Sequence, residues 1–193
     1  MKYRIGLDLG GTKVLGVVTD SNFNVVHRKK HRLSNRDDIL AVMDQIADVY
    51  RALANNVSES EIISVGIALP SPIDNQRGEA KQLTAFNQNN LPVRSLLKER
   101  TDIEVKLGND VNMATLAEYN FGAGKGVSSL FTFYPGTGLG GGYIYNGELI
   151  TGYNSTAAEV GHMIIDIDGP LCKCAVSYTH LRAHETREDR GWR

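Results

Sequence analysis

Apolar and polar positions along the chain change rhythm several times, and each change predicts an element. Residues 3–9 and 13–20 carry strand patterns on either side of a tight Gly10-Gly11 turn. A third strand, 23–33, follows the turn at Asp20-Ser21-Asn22. Its run His27-Arg28-Lys29-Lys30-His31-Arg32 marks an exposed or edge strand, and a solvated strand face accounts for it better than a nucleic-acid surface. The period then becomes helical. Ile39, Val42, Met43, Ile46, Val49, Tyr50 and Leu53 fall on one face of a helix predicted over 36–53. Residues 62–69 are nearly all apolar, as in a strand buried inside a sheet. Pro70-Ser71-Pro72 ends that strand. Residues 70–90 are polar and predict a long irregular loop. A loop leaving the end of a buried strand is where an open α/β sheet binds ligands.

Leu91-Pro92 opens a short helix to Arg100, with proline in its first turn. A strand follows at Glu104–Leu107. Asn109-Asp110 starts a helix to about Asn120 that Gly122 stops. Beyond a polar hinge at 122–126 come a strand over 128–134, a second glycine loop over Gly136–Gly142, and a strand from Tyr143 to Tyr145. The order strand, glycine-threonine turn, strand thus occurs twice, which predicts two similar lobes facing each other across a cleft. The expected division is an N-terminal lobe over 1–121, the start of a second lobe over 122–175, and a tail over 176–193. That tail holds four of the twelve arginines, no lysine, two of the five histidines and the only tryptophan, without helical or strand periodicity. We read it as non-native sequence joined to a protein cut near Cys174 or Ala175.

Bulk properties narrow the function. A 193-residue chain with 41% hydrophobic and 22% charged residues is an ordinary globular composition. A formal net charge of −1 leaves no electrostatic footprint for nucleic acid or an anionic membrane. The N-terminus runs straight into a strand without a signal peptide, and no apolar run is long enough to span a bilayer, so a cytoplasmic protein is expected. The two cysteines, Cys172 and Cys174, make a poor disulfide framework and a plausible half of a metal site.

Candidate chemistry follows the glycine turns. Asp8 stands just before the first turn, where a carboxylate can hold a metal ion or its water shell. Gly10, Gly11 and Thr12, with Gly136, Thr137 and Gly138, offer backbone amides without bulky side chains to an anion. Neither turn is a Walker A loop, because the spacing differs and no lysine-serine/threonine pair closes a helix. Neither is a Rossmann fingerprint, because a strand follows. One such turn alone is more often an ordinary hairpin; two, each with a threonine, point to phosphate. Asp110 at a helix start is a candidate general base, its anion favoured by the helix dipole. Taken alone, Asn109-Asp110 is better read as an N-terminal cap. Glu159 and His162, three apart, would share one side of a helical turn.

The ordered set Asp8-x-Gly10-Gly11-Thr12-Lys13, Gly66-Ile67-Ala68-Leu69-Pro70, Asn109-Asp110, and Gly136–Gly142 followed by Glu159-Val160-Gly161-His162 resembles the ROK family of sugar kinases and sugar-responsive repressors. The resemblance covers residues 3 to Cys174. It implies an α/β, actin-like (ribonuclease H-like) ATPase fold of two similar lobes, the second incomplete here. It implies ATP and Mg²⁺, with Asp8 toward the metal and Gly10, Gly11, Thr12, Lys13, Gly136, Thr137 and Gly138 toward phosphates. Asp110 carries over as the catalytic residue, and Asn109 and Glu159 as sugar ligands. His162 carries over to a zinc site beside the sugar, with Cys172 and Cys174, a ligand chemistry suited to structural Zn²⁺. The family pattern then needs a glycine and a further cysteine where this chain has Ala175 and Thr179, so the zinc site is expected in the parent protein and incomplete here. Family members continue well past this point, so this chain is expected to be inactive and to expose an apolar sheet face on its second lobe.

The implied activity is ATP-dependent phosphorylation of a hexose, glucose at its 6-hydroxyl. A sugar-responsive transcriptional regulator is the alternative from another class. It is disfavoured by the intact phosphate motif and by the start of that motif eight residues in, which leaves no room for a DNA-binding domain. Kinases for N-acetylglucosamine, N-acetylmannosamine or fructose are further alternatives. Expected partners are the sugar and ATP, with no nucleic acid and no membrane, and the parent is expected to be a homodimer.

Overall fold

The computed structural model describes residues 1–136, 138–166 and 179–180. Its contacts separate two compact units, Met1–Asp110 and Val111–Arg193. The first unit begins with β1 (Tyr3–Leu9), β2 (Lys13–Thr19) and β3 (Val25–Arg32), then α1 (Ile39–Ala54) and β4 (Ile62–Leu69). Three short strands follow, β5 (Ile73–Asp74), β6 (Glu79–Leu83) and β7 (Gln88–Leu91), and then α2 (Val93–Thr101) and β8 (Val105–Asn109). The main sheet has the order β3-β2-β1-β4-β8. β1, β2 and β3 form an antiparallel meander, while β4 lies parallel to β1 and β8 parallel to β4.

The period-2 alternation explains the packing. Ile5, Leu7 and Leu9 of β1 lie on one face with Val14, Val18, Val65, Ile67, Leu69, Val105 and Leu107, all buried. The apolar stripe of α1 covers that face with Val42, Met43, Ile46, Val49, Tyr50 and Leu53. Burying each Leu or Ile side chain contributes about 1.5–3 kcal/mol. Asp38 caps α1, its carboxylate accepting from the amides of Leu40 at 2.9 Å and Ala41 at 3.2 Å. At Gly16 the helix comes so close that a Cβ would stand 2.5 Å from Leu53 Cδ1 and 2.9 Å from Leu7 Cδ2.

Two expectations need correction. Residues 70–90 are not an irregular loop, because β5, β6 and β7 pair into an antiparallel three-stranded sheet. The Asp74 carboxylate turns the chain by accepting first from the Arg77 amide and then from that of Gln76, which holds its pKa below the usual value. Ala80, Leu83, Phe86 and Leu91 are buried, so even this polar stretch has an inner face. The second correction concerns the second glycine loop, which is shorter than its composition suggests.

α3 (Asp110–Phe121) starts on the last residue of the first unit and continues into the second. At its end the Gly122 amide donates to Glu118 O at 3.0 Å, as the stop signal predicts. Three antiparallel strands follow, β9 (Leu130–Pro135), β10 (Leu139–Tyr145) and β11 (Glu148–Leu149), in the order β11-β10-β9. β10 therefore begins four residues before the expected strand at Tyr143, and Gly140, Gly141 and Gly142 lie within it. These glycines make room. A Cβ on Gly140 would meet Val111 Cγ2 at 2.7 Å, one on Gly141 would meet Ala158 O at 2.5 Å, and one on Gly142 would collide with Thr115. Phe131, Phe133 and Tyr145 stay exposed on this sheet. β12 (Ile164–Asp166) pairs with β13 (Thr179–His180), a two-residue strand inside the stretch expected to lack periodicity. Among the described residues no helix is long and apolar enough to cross a membrane.

Candidate functional site

In the first unit the polar residues gather where the parallel strands end. Asp8 pairs with Ala68 and Leu69 pairs with Asn109, so the ends of β1, β4 and β8 lie side by side. The β1–β2 hairpin is closed by the Gly10 amide donating to Lys13 O at 2.9 Å and tied to the end of β3 by the Leu33 amide donating to Thr12 O at 3.0 Å. Protein packed near the Asp8 carboxyl disfavours its charge and pushes the pKa up, and the Lys13 cation opposes this in part.

Beyond β4 the chain turns at Ser71, which is buried. Its hydroxyl donates to Pro72 O at 2.9 Å and accepts from the Gln82 amide at 3.0 Å. Its carbonyl accepts from Asn109 Nδ2 at 3.3 Å, and the same Asn109 nitrogen donates to Asp110 Oδ1 at 3.1 Å. Asn109 thus ties the strand end of β4 to the carboxylate that opens α3. The helical turn over Thr84–Phe86 brings Ala85 against the hairpin, 3.4 Å from where a Cβ on Gly11 would stand, and Arg36 Nη2 lies 3.9 Å from the same point. The first unit therefore brings together Asp8, the Gly10–Lys13 hairpin, Asn109 and Asp110.

In the second unit the turn between β9 and β10 is closed by the Gly136 amide donating to Gly138 O at 2.8 Å. Thr137, Cys172 and Cys174 lie outside the described residues. Glu159 precedes a single 3₁₀ turn over Val160–His162, with Val160 and Gly161 buried. A Cβ on Gly161 would collide with Leu139, so this turn packs directly on the start of β10. Glu159 and His162 lie on one side, Oε2 to Nε2 4.0 Å, both about half exposed. Among the described residues no cluster of three His, Cys, Asp or Glu is placed to hold a metal.

Sequence reasoning passed over Ser71 and Arg36. Ser71 was legible only as part of a strand-ending Pro-Ser-Pro. Arg36 carried no signal at all, because its proximity to Gly11 comes from the path of the chain between β3 and α1.

A five-stranded sheet of order β3-β2-β1-β4-β8, with a glycine hairpin joining its first two strands and ligand-type side chains at its parallel strand ends, is the actin-like ATPase fold. Within that fold the chain belongs to the ROK family, which it matches over residues 4–177. It is 35% identical over 176 residues to the glucokinase of Thermotoga maritima, covering 88% of this chain and 53% of that protein. It is 30% identical over 177 residues to the xylose repressor of Bacillus spizizenii, covering 89% of this chain and 45% of the repressor. The crystal structure of a ROK family glucokinase from Streptomyces griseus in complex with glucose and AMPPNP superposes with a TM-score of 0.80 at 29% identity, covering 92% of this chain and 55% of that one. The chain spans about half the length of the curated relatives it matches.

Proposed function

We propose that this chain carries the phosphoryl-transfer half-site of an ATP-dependent hexose kinase that acts on the 6-hydroxyl of glucose. The observation that carries the reading is the side-chain amide of Asn109, which bonds both Ser71 O and Asp110 Oδ1 and so holds a carboxylate at the strand ends beside a phosphate-type hairpin. In this reading the amides of Gly11 and Thr12, with Lys13, hold the phosphates of ATP, and Gly10, whose own amide closes the turn, leaves room for them to approach. Asn109 and Asp110 receive the sugar. As the hydroxyl oxygen bonds to the terminal phosphorus and the bond to the ADP oxygen breaks, Asp110 takes the hydroxyl proton. Phosphoryl transfer depends mostly on positioning and charge, so a carboxylate favoured as an anion at a helix start suffices as base. The Asp8 carboxylate, open to solvent yet partly packed by protein, offers the oxygen chemistry that Mg²⁺ prefers, and bound Mg²⁺ would neutralise phosphate charge. Gly136, Thr137 and Gly138 are assigned to phosphate, and Glu159 and His162 to the sugar. A structural Zn²⁺ on His162, Cys172 and Cys174 belongs to the same reading, and no step is routed through it.

The similarity to xylose repressors keeps a second reading in view, a sugar-binding regulator without turnover. Asp110→Asn separates the two in the protein taken at its relatives' full length. A kinase loses about 10²–10⁴-fold in kcat while its glucose Kd stays within a few-fold. A coupled ADP-release assay over glucose, N-acetylmannosamine, N-acetylglucosamine, fructose and xylose measures the first quantity, and calorimetry the second. Sugar binding without turnover in the unsubstituted protein sinks the kinase reading.

A further inference from the structure

The segment between β3 and α1 is a fixed strap. Gln45 of α1 holds Ser34 three ways: its Oε1 accepts from the Ser34 amide at 2.9 Å and from the hydroxyl at 3.1 Å, and its Nε2 donates to Ser34 O at 2.9 Å. Leu33 is buried and its amide donates to Thr12 O, so the strap is anchored on the phosphate hairpin itself. Asn35 then turns the chain with φ +46°, and the Asp38 amide closes the turn by donating to Asn35 O at 3.2 Å. Arg36 rides on that turn. Its Nη2 lies 3.9 Å from where a Cβ on Gly11 would stand.

Other arginines of this unit have visible structural work. Arg51 pairs with Asp48 and also reaches Arg100 O, Arg100 pairs with Asp44, Arg94 donates to Asn75 O, and Arg4 covers the Phe23 ring. Among the described residues Arg36, like the exposed Arg28 and Arg32 of β3, has no such partner, although Asp37 and Asp38 are its chain neighbours; unlike those two it lies beside Gly11. Asp38 is occupied in capping α1. The guanidinium stays solvated and aimed beside the hairpin.

We propose that Arg36 is a phosphate-binding residue that completes the anion site of the Gly10–Lys13 hairpin from outside the turn and takes the terminal phosphate of the phosphoryl donor. A planar guanidinium presents two parallel N–H groups to two phosphate oxygens, which a lysine ammonium cannot do. A Cβ on Gly11 would stand 3.4 Å from Ala85 Cβ and 3.9 Å from Arg36 Nη2, so the guanidinium lies close beside the hairpin where Gly11 has no side chain. Its anchored strap lowers the ordering cost of each phosphate contact. The proposal rests on the phosphoryl-transfer reading for the identity of the donor, while its anion chemistry is testable without turnover.

Inorganic tripolyphosphate is the probe, titrated by calorimetry into the unsubstituted chain, Arg36→Met, Arg36→Lys and Arg28→Met. Arg28→Met removes the same charge from the exposed strand β3. Arg36→Met is expected to weaken binding about tenfold and flatten its salt dependence, Arg36→Lys to fall between, and Arg28→Met to stay within twofold of the unsubstituted chain. Equal affinity for Arg36→Met and the unsubstituted chain overturns the proposal. So does an equal loss in Arg28→Met, or no binding by the unsubstituted chain. Circular dichroism checks that each variant folds. In the protein at its relatives' full length, Arg36→Met is expected to raise KM for Mg-ATP or lower kcat with the glucose Kd unchanged. Absence of turnover in every protein sinks the kinase reading and leaves the tripolyphosphate result to decide on Arg36.

Discussion

Asp8 bears on both the stability of the fold and the proposed chemistry. Leu7 and Leu9 point into the core, so Asp8 between them points to the other face of the sheet. Its pKa lies above the ordinary 3.8 because surrounding protein disfavours the charge more than Lys13 favours it. The folded state then holds the Asp8 proton more tightly than the unfolded state does. The stabilisation from this proton is present below pH 3.8 and is lost as pH rises through the folded pKa. At neutral pH the charge is expected to cost a little stability, and Asp8→Asn to raise Tm slightly. The gap between the variants should narrow toward pH 4, which thermal scans at pH 4 and pH 7.5 read directly. In the kinase reading the same change weakens Mg-ATP binding, the usual opposition between stability and function at a site. A lower Tm for Asp8→Asn at pH 7.5 would overturn the assignment.

Among the elements, the contact of α1 with β2 positions the strap that carries Arg36. Gly16 sets that distance, since any Cβ there meets Leu53, Leu7 and Val49. Gly16→Val forces α1 outward and is expected to cost about 1–3 kcal/mol, measured as a shift in urea midpoint at constant m-value. An unchanged midpoint would show that the helix is not held at this spacing. The legible elements were those in which the chain's own period decides the outcome. Residues 62–69 form β4 with the expected bounds, and α1 follows from its apolar stripe. β5, β6 and β7 escaped because they are two to five residues long and held by an Asp74 turn, with few apolar positions to mark them. Gly140–Gly142 looked like loop because composition cannot distinguish a glycine that turns the chain from one that gives way to a neighbour. The neighbours Val111, Ala158 and Thr115 are known only once the strands pair. The positions of Asp8, Asn109 and Asp110 were legible because strand ends and helix starts are local signals. Ser71 and Arg36 were not, because their partners lie eleven and twenty-five residues away.

Across the molecule, buried apolar side chains are divided unevenly between the two units. The large core cluster runs from Ile5 to Leu107, inside Met1–Asp110. In the second unit, among the described residues, only Ile144 and Val160 are buried hydrophobics, while Phe131, Phe133 and Tyr145 of its sheet are exposed. Local stability follows the burial that a segment shares with its neighbours, so the two units should open at different free energies. The hairpin at Gly10–Lys13 then stands on the rigid unit, and the turn at Gly136–Gly138 on the softer one. Amide hydrogen exchange is expected to protect β1, β4 and α1 to the level of global unfolding. The amides of β9 and β10 should exchange through smaller openings, at least tenfold faster, since 1.4 kcal/mol of opening free energy corresponds to about tenfold in rate. In the kinase reading, adding Mg-ATP should slow exchange at Gly10–Lys13 with little further gain in β1, because that strand already exchanges only by global unfolding. Uniform protection across β1, β4, β9 and β10 would mean that both units unfold as one, and that the scarcity of buried side chains in the second does not set its stability.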